Sequence, residues 1–259
     1  MKYVDLNSDL GESFGAYTIG MDSAIIPQVT SVNVACGFHA GDPVVMNKTV
    51  AMAIKNGAAI GAHPGFPDLQ GFGRRNMTVT AEEAYAMTLY QLGALDAFVK
   101  AHGGRIQHCK PHGSLYNMAA KDAVLADAIC KACRDFDPEM ILLGLSGSQF
   151  GPAAQRAGIP FAAEFFADRA YNDDGSLVNR KLPGAVIHDP AEAVARVLQM
   201  AKEGTVTTIT GNTLTLGCAS VCVHGDNEAA VALVKSINEA LAANGVQTAD
   251  LKTVLAHAD

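Results

Sequence analysis

The 259-residue chain has no tryptophan, only 6% aromatic residues and only 17% charged residues, while hydrophobic residues make up 49%. A chain so poor in charge and so rich in apolar side chains can bury a core of its own, which excludes disorder as its main state. Basic residues are also scarce, 19 against 26 acidic ones for a formal net charge of -7. Without clustered Lys and Arg there is nothing to neutralise phosphates, so neither nucleic acid nor an anionic membrane is an expected partner. A long apolar run is missing too. The longest uncharged stretch, Gly204 to His224, is filled with Thr, Asn and Gly, whose polar groups are costly in hydrocarbon. The opening residues, Met1 to Asp9, put acids where a secretory signal has its apolar segment, so export is not expected.

Cysteine is equally sparse. Six are present, at strand-like positions (Cys36, Cys109, Cys218, Cys222) or in one helix-like run (Cys130, Cys133), which is no disulfide framework and points to a reducing, cytoplasmic setting. Cys130 and Cys133 form a C-x-x-C pair with no second pair at zinc spacing, and one turn of an amphipathic helix would place both on an inward face. The phosphate loop G-x-x-x-x-G-K-[ST], the dinucleotide fingerprint, the G-x-S-x-G elbow and H-E-x-x-H are all absent.

What is present is a regular alternation. Strand-like runs at Tyr3 to Asn7, Ser31 to Ala35, Ala58 to Ala62, Ile106 to Lys110, Met140 to Leu143, Phe161 to Phe165 and Ser220 to Val223 are separated by helix-patterned stretches. The helical stretches are Val44 to Asn56, Thr80 to His102, Asp122 to Asp135, Pro152 to Ala157, Pro190 to Glu203 and Asn227 to Asn244. Thr205 to Leu216 reads as an inserted hairpin. Repeated βα units predict an α/β fold with a mainly parallel sheet, and no composition shift divides the chain, so one domain over residues 1–259 is expected. Polar residues cluster just after the strands, and in a barrel all such loops meet on one rim. A distorted or incomplete (β/α) barrel of about seven core strands is therefore the expected architecture.

Those polar residues are specific. Asp9 and Glu12 follow the first strand in a turn that presents carboxylates to a cation or an amine. The segment from Asn33 to Pro43 carries His39, free of any evident structural duty, and Asp42, which competes for an N-cap. His63 opens a Gly- and Pro-rich loop that reaches Asp68, Arg74 and Arg75, suited to cover a ligand and to grip an anion. Lys110 and His112 sit at the fourth strand end, Glu164, Asp168 and Arg169 at the sixth, and His224, Asp226 and Asn227 at the last. Caps, ion pairs and buried structural histidines are the plain alternatives at each position.

Taken together, DLNSDLGESFG, NVACGFHAGDP, GAHPGFPD with GFGRR, KPHGSLYN, EFFADRAY and CVHGDN resemble the LamB/YcsF family, in order, from Asp5 to Asn227. The family pattern often has Cys at the position of Ser8. The resemblance implies a barrel related to the sugar deacetylases, and one subunit of an ATP-dependent 5-oxoprolinase that opens 5-oxoproline to glutamate with two further subunits. A five-membered lactam is a poor electrophile, and phosphorylation of its oxygen by ATP would let water attack. On that reading Asp9, His39, His63, Lys110 and His112 are the expected catalytic groups. Lys110, Arg74 and Arg75 would take the phosphates, and Asp9, Glu12 and Asp42 would hold Mg²⁺. Glu12, Asn33, Glu164, Arg169, His224 and Asp226 complete the expected binding set. Two alternatives remain open: a metal-dependent amidohydrolase or carbohydrate deacetylase without ATP, its transition metal on Asp9, His39, His63 and His112, and a non-catalytic subunit that binds substrate.

Overall fold

The computed structural model describes residues 1–223 and 228–258. Its first half runs β1 (Tyr3–Leu10), α1 (Asp22–Ile25), a 3-10 turn (Ile26–Gln28), β2 (Ser31–Ala35), α2 (Pro43–Asn56), β3 (Ala59–His63), α3 (Ala81–Ala101), β4 (Ile106–Cys109), α4 (Gly113–Ala119) and α5 (Ala123–Phe136). The second half runs β5 (Ile141–Leu145), α6 (Phe150–Ala157), β6 (Phe161–Phe166), α7 (Pro190–Glu203), β7 (Thr205–Thr207), β8 (Thr213–Thr215), β9 (Ser220–Cys222), α8 (Glu228–Ala243), β10 (Gln247–Thr248) and α9 (Leu251–Ala256). Local chemistry sets the helix ends. In α2 the Asp42 carboxylate accepts from the N–H groups of Val44 and Val45, Pro43 fills the first turn, and Gly57 closes the helix in the left-handed region. In α3, Thr80 and Glu83 form a reciprocal capping box.

Strands β1 to β6 pair in order, all parallel, and β9 pairs with both β6 and β1. The sheet therefore closes into a seven-stranded barrel with no gap between its first and last strands. β7 and β8 form the expected antiparallel ribbon outside it, and β10 adds beside the start of β1, at Tyr3 and Val4. Helices α1, α4 and α9 and strand β10 did not stand out in the sequence because each is too short to display a period. Helix α3 packs against α5, whose buried face carries Cys130 and Cys133, and all six cysteines are free thiols. No helix among the described residues is long and apolar enough to cross a membrane.

The barrel interior is divided. At the end where the strands begin, Leu251 and Val254 of α9 pack with Ile141, Leu143, Ala162 and Ala219 as an apolar stopper. Above it the interior is polar. The period of two along β1 sends Asp5, Asn7 and Asp9 to one face while Leu6 and Leu10 join the apolar core shared with the helices. Asp5 is wholly buried and accepts from the hydroxyls of Thr30 and Ser31, each at 2.6 Å, and from Ser220. Ser220 in turn accepts from Asn7 Nδ2 at 2.7 Å. Burial dominates over the three hydroxyl donors and raises the Asp5 pKa to about 6.

The sign of the consequence is fixed. Between the ordinary carboxylate range and about pH 6 the native state keeps a proton that the unfolded chain has released, so Asp5 makes stability fall as pH rises through that window. In Asp5→Asn the fall between pH 4 and pH 6 should shrink by about 2 kcal/mol, as read from urea unfolding at a series of pH values. Identical slopes in both proteins would remove Asp5 as the source.

Candidate active site

At the opposite mouth, the ends of β1, β3, β4 and β6 bring two connected clusters together. The first centres on Lys110, just beyond β4, whose backbone N–H still continues the ladder to Ala62. Its side chain is 3% exposed, and its ammonium lies 2.9 Å from Asp9 Oδ1 and 2.7 Å from Glu164 Oε1, with Asn7 Oδ1 and Cys222 Sγ each at 3.2 Å. Burial alone would push this pKa down, but Asp9, Cys222 and Glu164 outweigh it and hold the ammonium well above its ordinary value. The second oxygen of Glu164 accepts from the Tyr116 hydroxyl at 2.8 Å. Asn33 ties the strands: its Nδ2 donates to Asn7 Oδ1 and Asp9 Oδ1, and its Oδ1 lies 2.8 Å from His108 Nε2.

The second cluster is three buried histidines and Glu12. His39 and His112 stack face to face, 3.7 Å between centroids and 3° apart in plane, with His63 edge-on to both. His63 Nδ1 lies 2.7 Å from the carbonyl of Lys110, and His112 Nε2 lies 2.8 Å from that of Phe72. Glu12 Oε1 is 3.6 Å from His39 Nε2 and 3.7 Å from His112 Nδ1, and Asp9 Oδ2 is 3.4 Å from His63 Nε2. Burial is the main cause that lowers the pKa of His39 and of His112 well below the ordinary imidazole value, with the neighbouring histidines acting in the same direction. The carboxylates of Asp9 and Glu12, 15% and 11% exposed, are the site groups that reach toward solvent, so access to the cluster is at these two side chains.

The loop after β3 forms a fixed wall. Gly65 exchanges two hydrogen bonds with the Gln91 amide, and Phe66 is fully buried. Asp68 Oδ1 accepts from the Gly71 N–H and from Arg75 Nε at 2.8 Å. Phe72 stands at φ +54°, an uncommon conformation for a bulky residue, and its carbonyl is thereby aimed at His112. Gly73 follows at φ +61°, where a Cβ would lie 2.7 Å from His39 Cβ and 2.8 Å from His112 Cδ2. Only glycine fits between the stacked rings and the loop backbone.

A profile of the LamB/YcsF family matches residues 4–256. The chain belongs to that family. It is 56% identical over 255 residues to the 5-oxoprolinase A subunit of Alkaliphilus metalliredigens (strain QYMF), covering 98% of this chain and 100% of that one. The corresponding A subunit of Geobacillus kaustophilus (strain HTA426) is 55% identical over 246 residues, covering 95% and 96%. Among solved structures, the lactam utilization protein from Thermus thermophilus superposes with a TM-score of 0.91 at 45% identity, over 96% of this chain and 99% of that one. A T48 deacetylase solved with substrate reaches a TM-score of 0.51 at 14% identity, over 99% and 93%, a likeness of fold alone that matches the deacetylase-type barrel expected for LamB/YcsF chains.

Measured against the sequence, the site gathers Asp9, Glu12, Asn33, His39, His63, Lys110, His112 and Glu164. Three expected members are placed otherwise. Asp42 does not join Asp9 and Glu12, because Val44 and Val45 take one of its oxygens and the Gly15 N–H takes the other. Arg75 is drawn away by its ion pair with Asp68, whereas Arg74 stays exposed at the rim with its guanidinium 4.9 Å from the Phe72 ring centre. Arg169 is buried and donates to the carbonyls of Ala185 and Val178, stitching the excursion after β6. Lys110 is in the site, but its charge is already balanced by Asp9 and Glu164, which fits it to orient carboxylates rather than to receive phosphate. His224, Asp226 and Asn227 lie outside the described residues.

Asn7, His108, Tyr116 and Cys222 are the contributors that sequence reasoning missed. Three of them carried a readable signal, since Asn7, His108 and Cys222 each share a strand face with a polar residue two positions away: Asp9, Lys110 and Ser220. His108 depends on Gly61, where a Cβ would overlap the His108 ring at Nε2. Gly61→Ala should therefore destabilise by about 3 kcal/mol, and much less in a His108→Ala background. Urea unfolding of the two single variants and the double variant checks this, and strict additivity would refute the contact as its cause.

Proposed function

We propose that the chain opens the ring of 5-oxoproline to glutamate as one subunit of a cytoplasmic ATP-dependent 5-oxoprolinase that works with two further subunits. The observation that carries this reading is identity above half over nearly the full length with chains named as the A subunit of 5-oxoprolinase. The rim suits the chemistry. ATP, with Mg²⁺, transfers its γ-phosphoryl group to the lactam oxygen, and water adds to the carbon so activated. Asp9 takes the proton of that water, held in position by Lys110 and Asn33. The C–N bond then breaks as the ring nitrogen gains a proton, and the acyl phosphate left behind yields glutamate and phosphate with a second water. Arg74, at the rim over Phe72, matches the carboxylate of the substrate or the transferred phosphoryl group. Because Lys110 and Arg75 are engaged by carboxylates, the partner subunits and Mg²⁺ supply most of the charge that a triphosphate needs.

A second reading, hydrolysis of an amide by metal-activated water without ATP, is favoured by the convergence of three imidazoles and Glu12. Coupled assay of ADP release and glutamate formation separates the two. The proposal expects both products in equal amounts, only when the partner subunits are present, and a loss of about 100-fold or more in Asp9→Asn that keeps its circular dichroism. Glutamate formed by the chain alone, without ADP, would sink the ATP-coupled reading, and normal turnover by the folded variant would take Asp9 out of the chemistry.

A further inference from the structure

The arrangement of hydrogens in the histidine cluster leaves a gap in its electrostatics. A carbonyl oxygen only accepts, so His63 must carry its proton on Nδ1, facing the Lys110 carbonyl, and His112 must carry its proton on Nε2, facing that of Phe72. The remaining nitrogens, His63 Nε2 and His112 Nδ1, are then both bare in the neutral rings, and they point at one another across 3.0 Å. Two lone pairs in contact repel unless a cation lies between them. His39 adds to the imbalance, since it is buried and neither of its ring nitrogens has a hydrogen-bond partner. Asp9 and Glu164 flank the ammonium of Lys110, while Glu12 lies beside His39 and His112 and adds its carboxylate to the histidine cluster.

We propose that His63 Nε2, His112 Nδ1 and Glu12 Oε1 ligate one divalent first-row transition ion, with His39 Nε2 joining them as its ring turns out of the stack against His112, because the in-plane lone pairs of two parallel rings do not meet at one ion. One ligand atom from each of these four residues lies within 4.8 Å of the other three. The separations of 3.0 Å from His63 Nε2 to His112 Nδ1 and 3.7 Å from His112 Nδ1 to Glu12 Oε1 bracket the edge of ~3.3 Å that a tetrahedron with metal–ligand bonds of about 2.0–2.1 Å requires, and the edge-on meeting of His63 and His112 lets both lone pairs aim at one point. Three imidazoles and one carboxylate select an ion of the zinc type over Mg²⁺, which prefers oxygen ligands and retained water. Backbone carbonyls behind His63 and His112 supply the outer hydrogen bonds that fix the tautomer of a ligating imidazole. A proton shared by the two facing nitrogens is the rival occupant. That proton leaves His39 without a hydrogen-bond partner, whereas a divalent ion engages His39 and Glu12 as well as the two facing nitrogens. The inference concerns what this cluster binds and does not rest on the lactam reading.

The full-length chain, stripped with a chelator and then titrated with Zn²⁺ by calorimetry, should take up one equivalent and gain thermal stability as it does so. Zinc affinity should fall at least 100-fold in Glu12→Gln and in His39→Ala, while His257→Ala, at the exposed C-terminal cap of α9, should match the parent. Anomalous scattering from crystals of the unmodified protein soaked in Zn²⁺ keeps the test independent of any variant, and density among the four named residues is expected. No uptake by the folded parent, uptake unchanged in both cluster variants, or an ion located elsewhere would each overturn the proposal. None of these readouts involves ATP or lactam turnover, so the metal site and the proposed reaction stand or fall separately.

Discussion

Three polar side chains on one face of β1 set terms that every other part of the barrel must meet. Asp5, Asn7 and Asp9 project into a space that in most barrels is filled by branched apolar residues, and each would be costly there without partners. Ser31 and Asn33 from β2, His108 from β4, Lys110 at its end, and Ser220 and Cys222 from β9 answer them in register. Gly61 on β3 gives up its own side chain so that His108 can cross the interior to Asn33. The polar column thus joins the strands through their side chains as well as through the ladder, and its upper end is the candidate active site. Where the column stops, the apolar stopper of α9 begins.

The histidines are organised by backbone rather than by side chains. Two are oriented by carbonyl oxygens, one from the residue after β4 and one from a phenylalanine in the left-handed region, and the stacked rings of His39 and His112 are confined by glycines of the loop after β3. That loop has the composition of a flexible cover, yet its Asp68–Arg75 pair, its bonds to Gln91 and the bond from the Ser114 N–H to the Gly73 carbonyl pin it from three sides. Rigidity of this kind is what a site needs when its groups must keep their positions without help from a ligand.

Much of the fold was legible because parallel strands buried on both faces and amphipathic helices leave strong, distinct periods. The seven strand runs, the ribbon and the main helices stand within a few residues of where the pattern put them. Convergence of Asp9, His39, His63, Lys110 and His112 was legible for a topological reason, since parallel strands deliver their ends to one rim. The partners each charged group would choose were not legible. Asp42 and Arg75 lie beside the site in sequence, but a helix N-terminus and a nearby carboxylate compete for them at shorter range. Glu164 and Tyr116 illustrate the opposite case: residues on different elements, 48 positions apart, whose hydrogen bond beside Lys110 no local pattern announces.

Closure of the barrel by β1 and β9 also constrains how the chain reaches this state. The acid at Asp5 receives one of its three hydroxyl partners from Ser220, 215 residues further along, and β1 lacks its second barrel neighbour until that segment is in place. During synthesis β1 is made well before β9, and until the 215 residues between Asp5 and Ser220 have followed, one ladder edge of β1 stays open and Asp5 lacks one of its hydroxyl donors. Contacts of such sequence separation form late and slowly. The strand that organises the mature site is therefore the one most exposed to wrong pairing before the barrel is complete.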